Sequence, residues 1–296
     1  MKKTIFKGSG VAIITPMKSD GSIHYDRLGQ LIEFQIDNHT DSIIICGTTG
    51  ESATMDHEEH CSVIEYAVKK VAGRIPVVAG TGSNDTKYAL TLSLEAQKAG
   101  ADGLLVVTPY YNKTSQSGLI KHYNYIADGV DLPIILYNVP SRTGCNIKPE
   151  TYKELSKHPN IVATKEANGD ITSVVRTRFL CGDELAIYSG NDDQIVPIMS
   201  LGGIGVISVF ANLCPAVSHE MTQAYLTGAI KKSAALQIQY SKLMDVLFSD
   251  VNPIPIKAAM NLTGFDCGEC RLPLDRMSEQ GLKKLIAVLE EYNLLK

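Results

Sequence analysis

Lys165 is the residue of this chain best placed to do covalent chemistry. It stands at the downstream end of an apolar run, Ile161-Val162-Ala163, inside the segment Ala163-Thr164-Lys165-Glu166-Ala167. The run reads as a buried strand, and an ammonium stranded there is costly unless it is paired or holds its proton less tightly. Desolvation lowers a lysine pKa, and a neutral amine attacks a ketone carbon to form an imine, so the position suits nucleophilic catalysis. The plain alternative is a lysine whose stem lies along a strand end while its head reaches water, and structural ion pairs also hold perturbed groups.

Other apolar runs are followed by residues that such an amine would need. One ends in Gly47-Thr48-Thr49-Gly50-Glu51-Ser52, another in Thr108-Pro109-Tyr110-Tyr111-Asn112-Lys113, another in Tyr137-Asn138-Val139-Pro140-Ser141-Arg142-Thr143-Gly144, and another in Ser189-Gly190-Asn191-Asp192. Singly, each has an ordinary reading as a turn, a packed tyrosine pair or a solvated loop arginine. Together on one rim they would supply hydroxyls to carry protons and an arginine fork for a carboxylate.

One architecture puts them on one rim. Eight short, β-branched, unalternating runs recur: Val11–Thr15, Ser42–Cys46, Pro76–Ala79, Gly103–Thr108, Pro133–Tyr137, Ile161–Thr164, Leu185–Tyr188 and Gly205–Val209. Such runs fit strands covered on both faces, and each gap leaves room for a helix. Leu28, Leu31, Ile32 and Ile36 form one helical stripe; Val63, Ile64, Ala67, Val68 and Val71 form another, after Asp56 as N-cap and Glu59 three residues on. The pattern predicts an α/β fold, a (β/α)8 TIM barrel over residues 1–224 carrying the active site at the C-terminal ends of its strands. A doubly wound open sheet competes, but Gly8-Ser9-Gly10 precedes the first expected strand rather than following it. Residues 225–296 are expected to form a C-terminal helical extension, with helices over 220–249 and 280–295 and a break at Asn252-Pro253-Ile254-Pro255.

Composition narrows the partners. The 296 residues are 44% hydrophobic and carry a net charge of -4, with basic residues scattered, so neither nucleic acid nor an anionic membrane is expected. The N-terminal stretch, Met1 to Gly8, has no apolar region long enough for a signal peptide, and no run approaches the roughly 20 residues that cross a bilayer. Seven cysteines fit reduced thiols in a cytosol, with Cys267 and Cys270 the only close pair. Among the seven histidines no pair falls at a predicted strand end, and His57 with His60 lacks a third ligand, so no metal is expected. Gly202-Gly203-Ile204-Gly205 reads as a tight turn, with phosphate binding as the competing reading.

Along essentially its whole length the chain resembles the dihydrodipicolinate synthase and N-acetylneuraminate lyase family of class I aldolases. The residues that carry the resemblance are Gly47 to Thr54, Thr108 to Lys113, Tyr137 to Gly144 and Gly205 to Val209, in order around Lys165. The resemblance implies that Lys165 forms a Schiff base with pyruvate, that Thr48 and Thr49 hold its carboxylate, and that Tyr137, Thr49 and Tyr111 relay protons, Tyr111 from a neighbouring subunit. It implies that Arg142 grips the carboxylate of aspartate β-semialdehyde, that Gly190 and Ile207 contact substrate through backbone groups, and that no cofactor is needed. A cytoplasmic homotetramer, a dimer of dimers, follows from the same likeness.

Two departures stand out. Ala163-Thr164 precedes the lysine where the family usually has glycine and an aliphatic residue. Ser52, Ala53, His57, His60, Asn84 and Tyr110 match the allosteric lysine site of inhibited members, but Tyr88 occupies the position that usually holds an acidic residue, so weak or absent inhibition by L-lysine is expected. Other pyruvate aldolases of this family, sialic acid lyase or keto-deoxy sugar acid aldolase, are the competing activity; they commonly carry Gly-Ser-Thr-Gly where this chain has Gly47-Thr48-Thr49-Gly50. A catalytically retired barrel that senses a keto acid or amino acid is the competitor from another class, and retention of every group imine chemistry needs argues against it.

Overall fold

Each of the eight apolar runs forms a strand, and all eight pair in parallel, in chain order, into a closed barrel. The computed structural model describes residue 2 and residues 4–295, so Met1 and Lys3 of the N-terminal stretch lie outside the described residues. The strands are β1 (Gly8–Ala12), β2 (Ser42–Ile45), β3 (Val77–Gly80), β4 (Gly103–Val107), β5 (Ile134–Asn138), β6 (Ile161–Glu166), β7 (Ala186–Ser189) and β8 (Gly205–Ser208). Between them run α1 (Tyr25–Asp37), α2 (His57–Val71), α3 (Thr86–Ala99), α4 (Gln116–Asp128), α5 (Pro140–Thr143), α6 (Pro149–Leu155), α7 (Ile171–Cys181) and α8 (Ile195–Ser200). After β8 come α9 (Pro215–Leu226), α10 (Ile230–Gln239), α11 (Ser241–Val246), α12 (Ile254–Leu262) and α13 (Glu279–Glu291).

The two-residue period of a strand divides the core into two layers. Ile44, Val78, Leu105, Ile135, Ala163, Tyr188 and Ile207 point inward and fill the barrel. Their neighbours Ile43, Ile45, Leu104, Val106, Ile134, Leu136 and Ile161 point outward and pack under the helices. Phe6, just ahead of β1, stacks on Tyr188 with ring centroids 4.5 Å apart, and the Tyr188 hydroxyl donates to the Phe6 carbonyl at 2.6 Å, both within the inward-facing cluster.

The first strand starts at Gly8 rather than Val11, so Gly8-Ser9-Gly10 belongs to β1 and does not precede it. Backbone pairing, not hydropathy, sets that start. Gly8 pairs with Gly205, and a Cβ on Gly205 would lie 2.0 Å from the Gly8 carbonyl oxygen, closer than any side chain tolerates. Gly202 and Gly203 form the turn that leads into β8 at the end of the barrel away from the strand C-termini, with the Gly203 N–H bonded to the Ile198 carbonyl at 3.0 Å.

Helix boundaries follow the local chemistry. The Asp56 side chain accepts from the Glu59 N–H at 2.8 Å, the N-cap expected for α2 and worth about 1 kcal/mol. The single helix expected over 220–249 is instead three, α9, α10 and α11: Gly228 takes a left-handed conformation (φ +86°) just past the end of the first, and a second break falls at Tyr240. Asn252-Pro253-Ile254-Pro255 interrupts the helices as expected and also opens α12, whose first turn accepts proline because its N–H groups have no partner there. Residue 224 falls in the last turns of α9, which packs against β1 and β8; Leu243, Met244, Leu285 and Leu289 from the helices beyond join the outer core. No helix among the described residues is long and apolar enough to cross a membrane.

Candidate active site

Lys165 is the fifth residue of β6, two positions beyond the inward-pointing Ala163, so the strand period carries its side chain into the barrel. It is only 5% exposed. In the sheet register it pairs with Tyr137 of β5 on one side and Tyr188 of β7 on the other. Its Nζ lies 4.3 Å from the centre of the Tyr137 ring, and among the described residues it makes neither an ion pair nor a hydrogen bond. Among those residues no carboxylate lies within hydrogen-bonding reach of this buried amine, the nearest influence being the charge interaction with buried Asp192, and the Tyr137 phenol stands beside it as a proton-carrying group. Gly190, just past β7, leaves the lysine stem its room: a Cβ there would stand 3.1 Å from Lys165 Cγ and 3.0 Å from the Glu166 carbonyl.

The loop after β2 forms one side of the rim. Gly50 and Glu51 donate their N–H groups to the Gly47 and Thr48 carbonyls at 3.1 Å each, folding Gly47–Glu51 into tight turns. Thr15 Oγ1 donates to the Gly50 carbonyl at 2.8 Å from below. Thr49 is 2% exposed and its Oγ1 accepts from Asn252 Nδ2 at 3.0 Å. Glu51 has φ +57° and sends its carboxylate away from the rim into the protein. Ile207 is fully buried on β8.

Arg142 projects from α5 and is exposed, and its Nη2 donates to the Asn252 carbonyl at 3.1 Å. Thr48, Arg142 and Asn252 line a cavity of about 430 Å³, together with Ser52, Ala53, His60, Tyr88 and Tyr110. Of the residues matched to the allosteric site, Asn84 lines a different cavity of about 350 Å³. The His57 ring instead meets Tyr88, at 5.9 Å between centroids. His60 Nε2 donates to the Gly80 carbonyl at 2.8 Å, and burial lowers its pKa, so it serves as a neutral donor under α2.

The three-hydroxyl relay is not assembled within one chain. Thr49 Oγ1 is engaged by Asn252, the Tyr137 hydroxyl makes no hydrogen bond among the described residues, and Tyr111 is 91% exposed with φ +69°. All seven cysteines are free thiols, and burial pushes Cys267 and Cys270 each up to about 12.

Three groups around this site went unread in the sequence. Asn252, from the segment taken only as a break, reaches both Thr49 and Arg142. Lys257 pairs with Glu51; a lone cation in the apolar run Ile254-Pro255-Ile256-Lys257-Ala258-Ala259 is the same signal that exposed Lys165. Glu166, 3% exposed on the outer face of β6, accepts from Asn138 Nδ2 at 2.9 Å, the Asn168 N–H at 3.0 Å and the Tyr152 hydroxyl at 2.8 Å. Burial pushes its carboxyl up to about 7 in spite of those donors.

Comparison with known proteins identifies relatives along nearly the whole chain. A chain of Thermoanaerobacter sp. (strain X514) named 4-hydroxy-tetrahydrodipicolinate synthase is 58% identical over 293 residues, covering 99% of this chain and 98% of that relative. The crystal structure of dihydrodipicolinate synthase from Aquifex aeolicus superposes with a TM-score of 0.96 at 46% identity, covering 98% of this chain and 100% of that one. A dihydrodipicolinate synthase of Acinetobacter baumannii, described as chloride inhibited and complexed with pyruvate, reaches a TM-score of 0.96 at 40% identity, covering 99% of this chain and 100% of that one. The family model described as the Dihydrodipicolinate synthetase family matches residues 5–292, and this chain belongs to that family.

Proposed function

We propose that this chain is a lyase that condenses pyruvate with L-aspartate 4-semialdehyde, the activity of a 4-hydroxy-tetrahydrodipicolinate synthase in lysine and diaminopimelate biosynthesis, through an imine on Lys165. The observation that carries the reading is the buried, unpaired Lys165 Nζ 4.3 Å from the Tyr137 ring centre at the end of β6. The names of relatives at 52–58% identity over nearly the whole chain support it.

Lys165 Nζ adds to C2 of pyruvate and water leaves, giving an iminium. Loss of a proton from C3 gives an enamine, whose C3 forms a bond to the aldehyde carbon of the second substrate. The amine of that substrate then attacks C2, the C2–Nζ bond breaks, and the ring closes with Lys165 released. Tyr137 is the proton carrier next to the amine, with Thr49 and Tyr111 continuing the relay. Thr48 and Thr49 hold the pyruvate carboxylate. Arg142 takes the carboxylate of the semialdehyde, and Gly190 and Ile207 offer backbone groups.

Tyr111 supports an oligomer as the working form: a large aromatic side chain, 91% exposed in a left-handed backbone conformation, fits a residue completed by a second copy. A homotetramer built as a dimer of dimers, in the cytoplasm, belongs to the same reading. So does the division into a barrel over residues 1–224 and a helical extension over 225–296. Ser52, Ala53, His57, His60, Asn84 and Tyr110 would form a site for L-lysine, weakened by Tyr88.

The test has two parts. Borohydride with pyruvate should leave a stable mass on the peptide that carries Lys165, and a coupled assay with pyruvate and aspartate semialdehyde should turn over while N-acetylneuraminate is not cleaved. Cleavage of N-acetylneuraminate without condensation would give the function to the sugar-acid lyases instead.

A further inference from the structure

The two faces of β5 and β6 carry paired functions. On the inner face Tyr137 and Lys165 are register partners; on the outer face, one residue on in each strand, Asn138 and Glu166 are register partners. Asn138 Nδ2 bridges both carboxylate oxygens of Glu166 at 2.9 and 3.2 Å, and its Oδ1 accepts from the Ile147 N–H at 3.1 Å. Tyr152 of α6 donates to the same carboxylate at 2.8 Å and accepts from Thr164 Oγ1 at 3.1 Å. The Asn168 N–H adds a third donor at 3.0 Å, tying down the loop that leaves β6.

We propose that Glu166 is a positioning residue: its carboxylate clamps the ends of β5 and β6 from the outer face and so sets the distance between Lys165 and Tyr137 on the inner face. This rests on the imine reading of Lys165. The groups facing the carboxylate are Asn138 from β5, the Tyr152 phenol from α6 with the Tyr123 phenol of α4 beyond it, and the Asn168 and Ala167 N–H groups; among the described residues no ion pair reaches it. Four hydrogen bonds reach Glu166 from three donor groups, and the ionised carboxylate accepts all of them. Protonation gives one carboxyl oxygen a hydrogen that the Tyr152 hydroxyl must then accept, which reverses that hydrogen bond and turns the phenol proton away from Glu166, and the clamp loosens. Burial pushes that carboxyl up to about 7, so the clamp loosens as pH falls through that value.

The test is the pH profile of kcat and the rate of borohydride-trapped imine formation with pyruvate, for the native chain, Glu166→Gln and Tyr152→Phe. Native enzyme should lose kcat on acidification with a limb near pH 7. Glu166→Gln should lower kcat and the imine rate together by about 10- to 100-fold, leave KM for pyruvate within about twofold, and lack that limb. Tyr152→Phe removes a donor that favours the carboxylate, so its limb should move to higher pH; this measurement stands even where Glu166→Gln does not fold. An unmoved limb in Tyr152→Phe, or a Glu166→Gln enzyme with native kcat and profile, overturns the assignment. Failure of the native chain to form any pyruvate adduct is distinct, and overturns the imine function on which the assignment rests.

Discussion

Lys257 and Glu51 form an ion pair at 2.7 Å with their side chains 2% and 1% exposed, joining α12 to the loop that carries Thr48 and Thr49. Each member has a second partner: Lys257 Nζ also donates to the Glu269 carbonyl at 2.7 Å, and the Arg271 N–H donates to Glu51 Oε2 at 2.8 Å. Removing one partner strands a charge in the interior. Lys257→Met should therefore cost about 3–5 kcal/mol, read as a lower urea midpoint at unchanged slope. The double variant Lys257→Met with Glu51→Gln should lose less than Lys257→Met alone, since no uncompensated charge remains.

Lys165→Ala should abolish the borohydride-trapped pyruvate adduct and lower kcat/KM by on the order of 10³ or more, with the thermal midpoint maintained or raised because an unpaired buried amine is removed. Retention of the label on another lysine would show that the nucleophile lies elsewhere.

Arg142→Ala should raise KM for the semialdehyde by about 10- to 100-fold, the loss expected of one charge-assisted contact, and leave pyruvate trapping at Lys165 intact. Asn252→Ala removes the donor to Thr49 Oγ1 but keeps the backbone carbonyl that Arg142 uses, so it should slow imine formation more than it raises that KM. Single-turnover kinetics with each substrate separates the two.

Stability should fall with rising pH through the titration of Glu166. Its folded pKa is raised from 4.5 to about 7, so the folded state holds this proton more tightly than the unfolded chain. The resulting contribution is complete below about pH 4.5 and is lost as pH passes 7. Glu166→Gln is free of this penalty, so its stability relative to the native chain should improve between pH 5 and pH 8 by on the order of 2–3 kcal/mol. Denaturant midpoints at the two pH values measure it. A variant slower in catalysis yet relatively firmer at pH 8 would place Glu166 among residues kept at the expense of stability.

L-Lysine should inhibit weakly or not at all, since Tyr88 supplies no carboxylate to the ammonium of such a ligand. Tyr88 is 39% exposed and lines the same cavity as Ser52, Ala53, His60 and Tyr110, so Tyr88→Glu should create or sharpen inhibition. Activity of the native chain that halves at micromolar to low millimolar L-lysine would overturn this expectation.

The barrel was legible because its strands are buried on both faces, which leaves continuous apolar runs at regular spacing; Ser42-Ile43-Ile44-Ile45 needs no other context. Lys165 was legible for the complementary reason, as a cation interrupting such a run. What the sequence concealed depends on long-range pairing. Asn252 meets Thr49 across 203 positions and Lys257 meets Glu51 across 206, separations at which no local pattern survives. The start of β1 at Gly8 is likewise fixed by its partner Gly205, and the first of the two breaks within residues 220–249 by the backbone of Gly228.

The Phe6–Tyr188 stack ties the approach to β1 to β7, 182 positions further along the chain. Tyr188 is also the register neighbour of Lys165. The strand that flanks the amine is therefore braced by a ring contributed from ahead of the first strand, and damage at Phe6 would be felt at Lys165 without touching it.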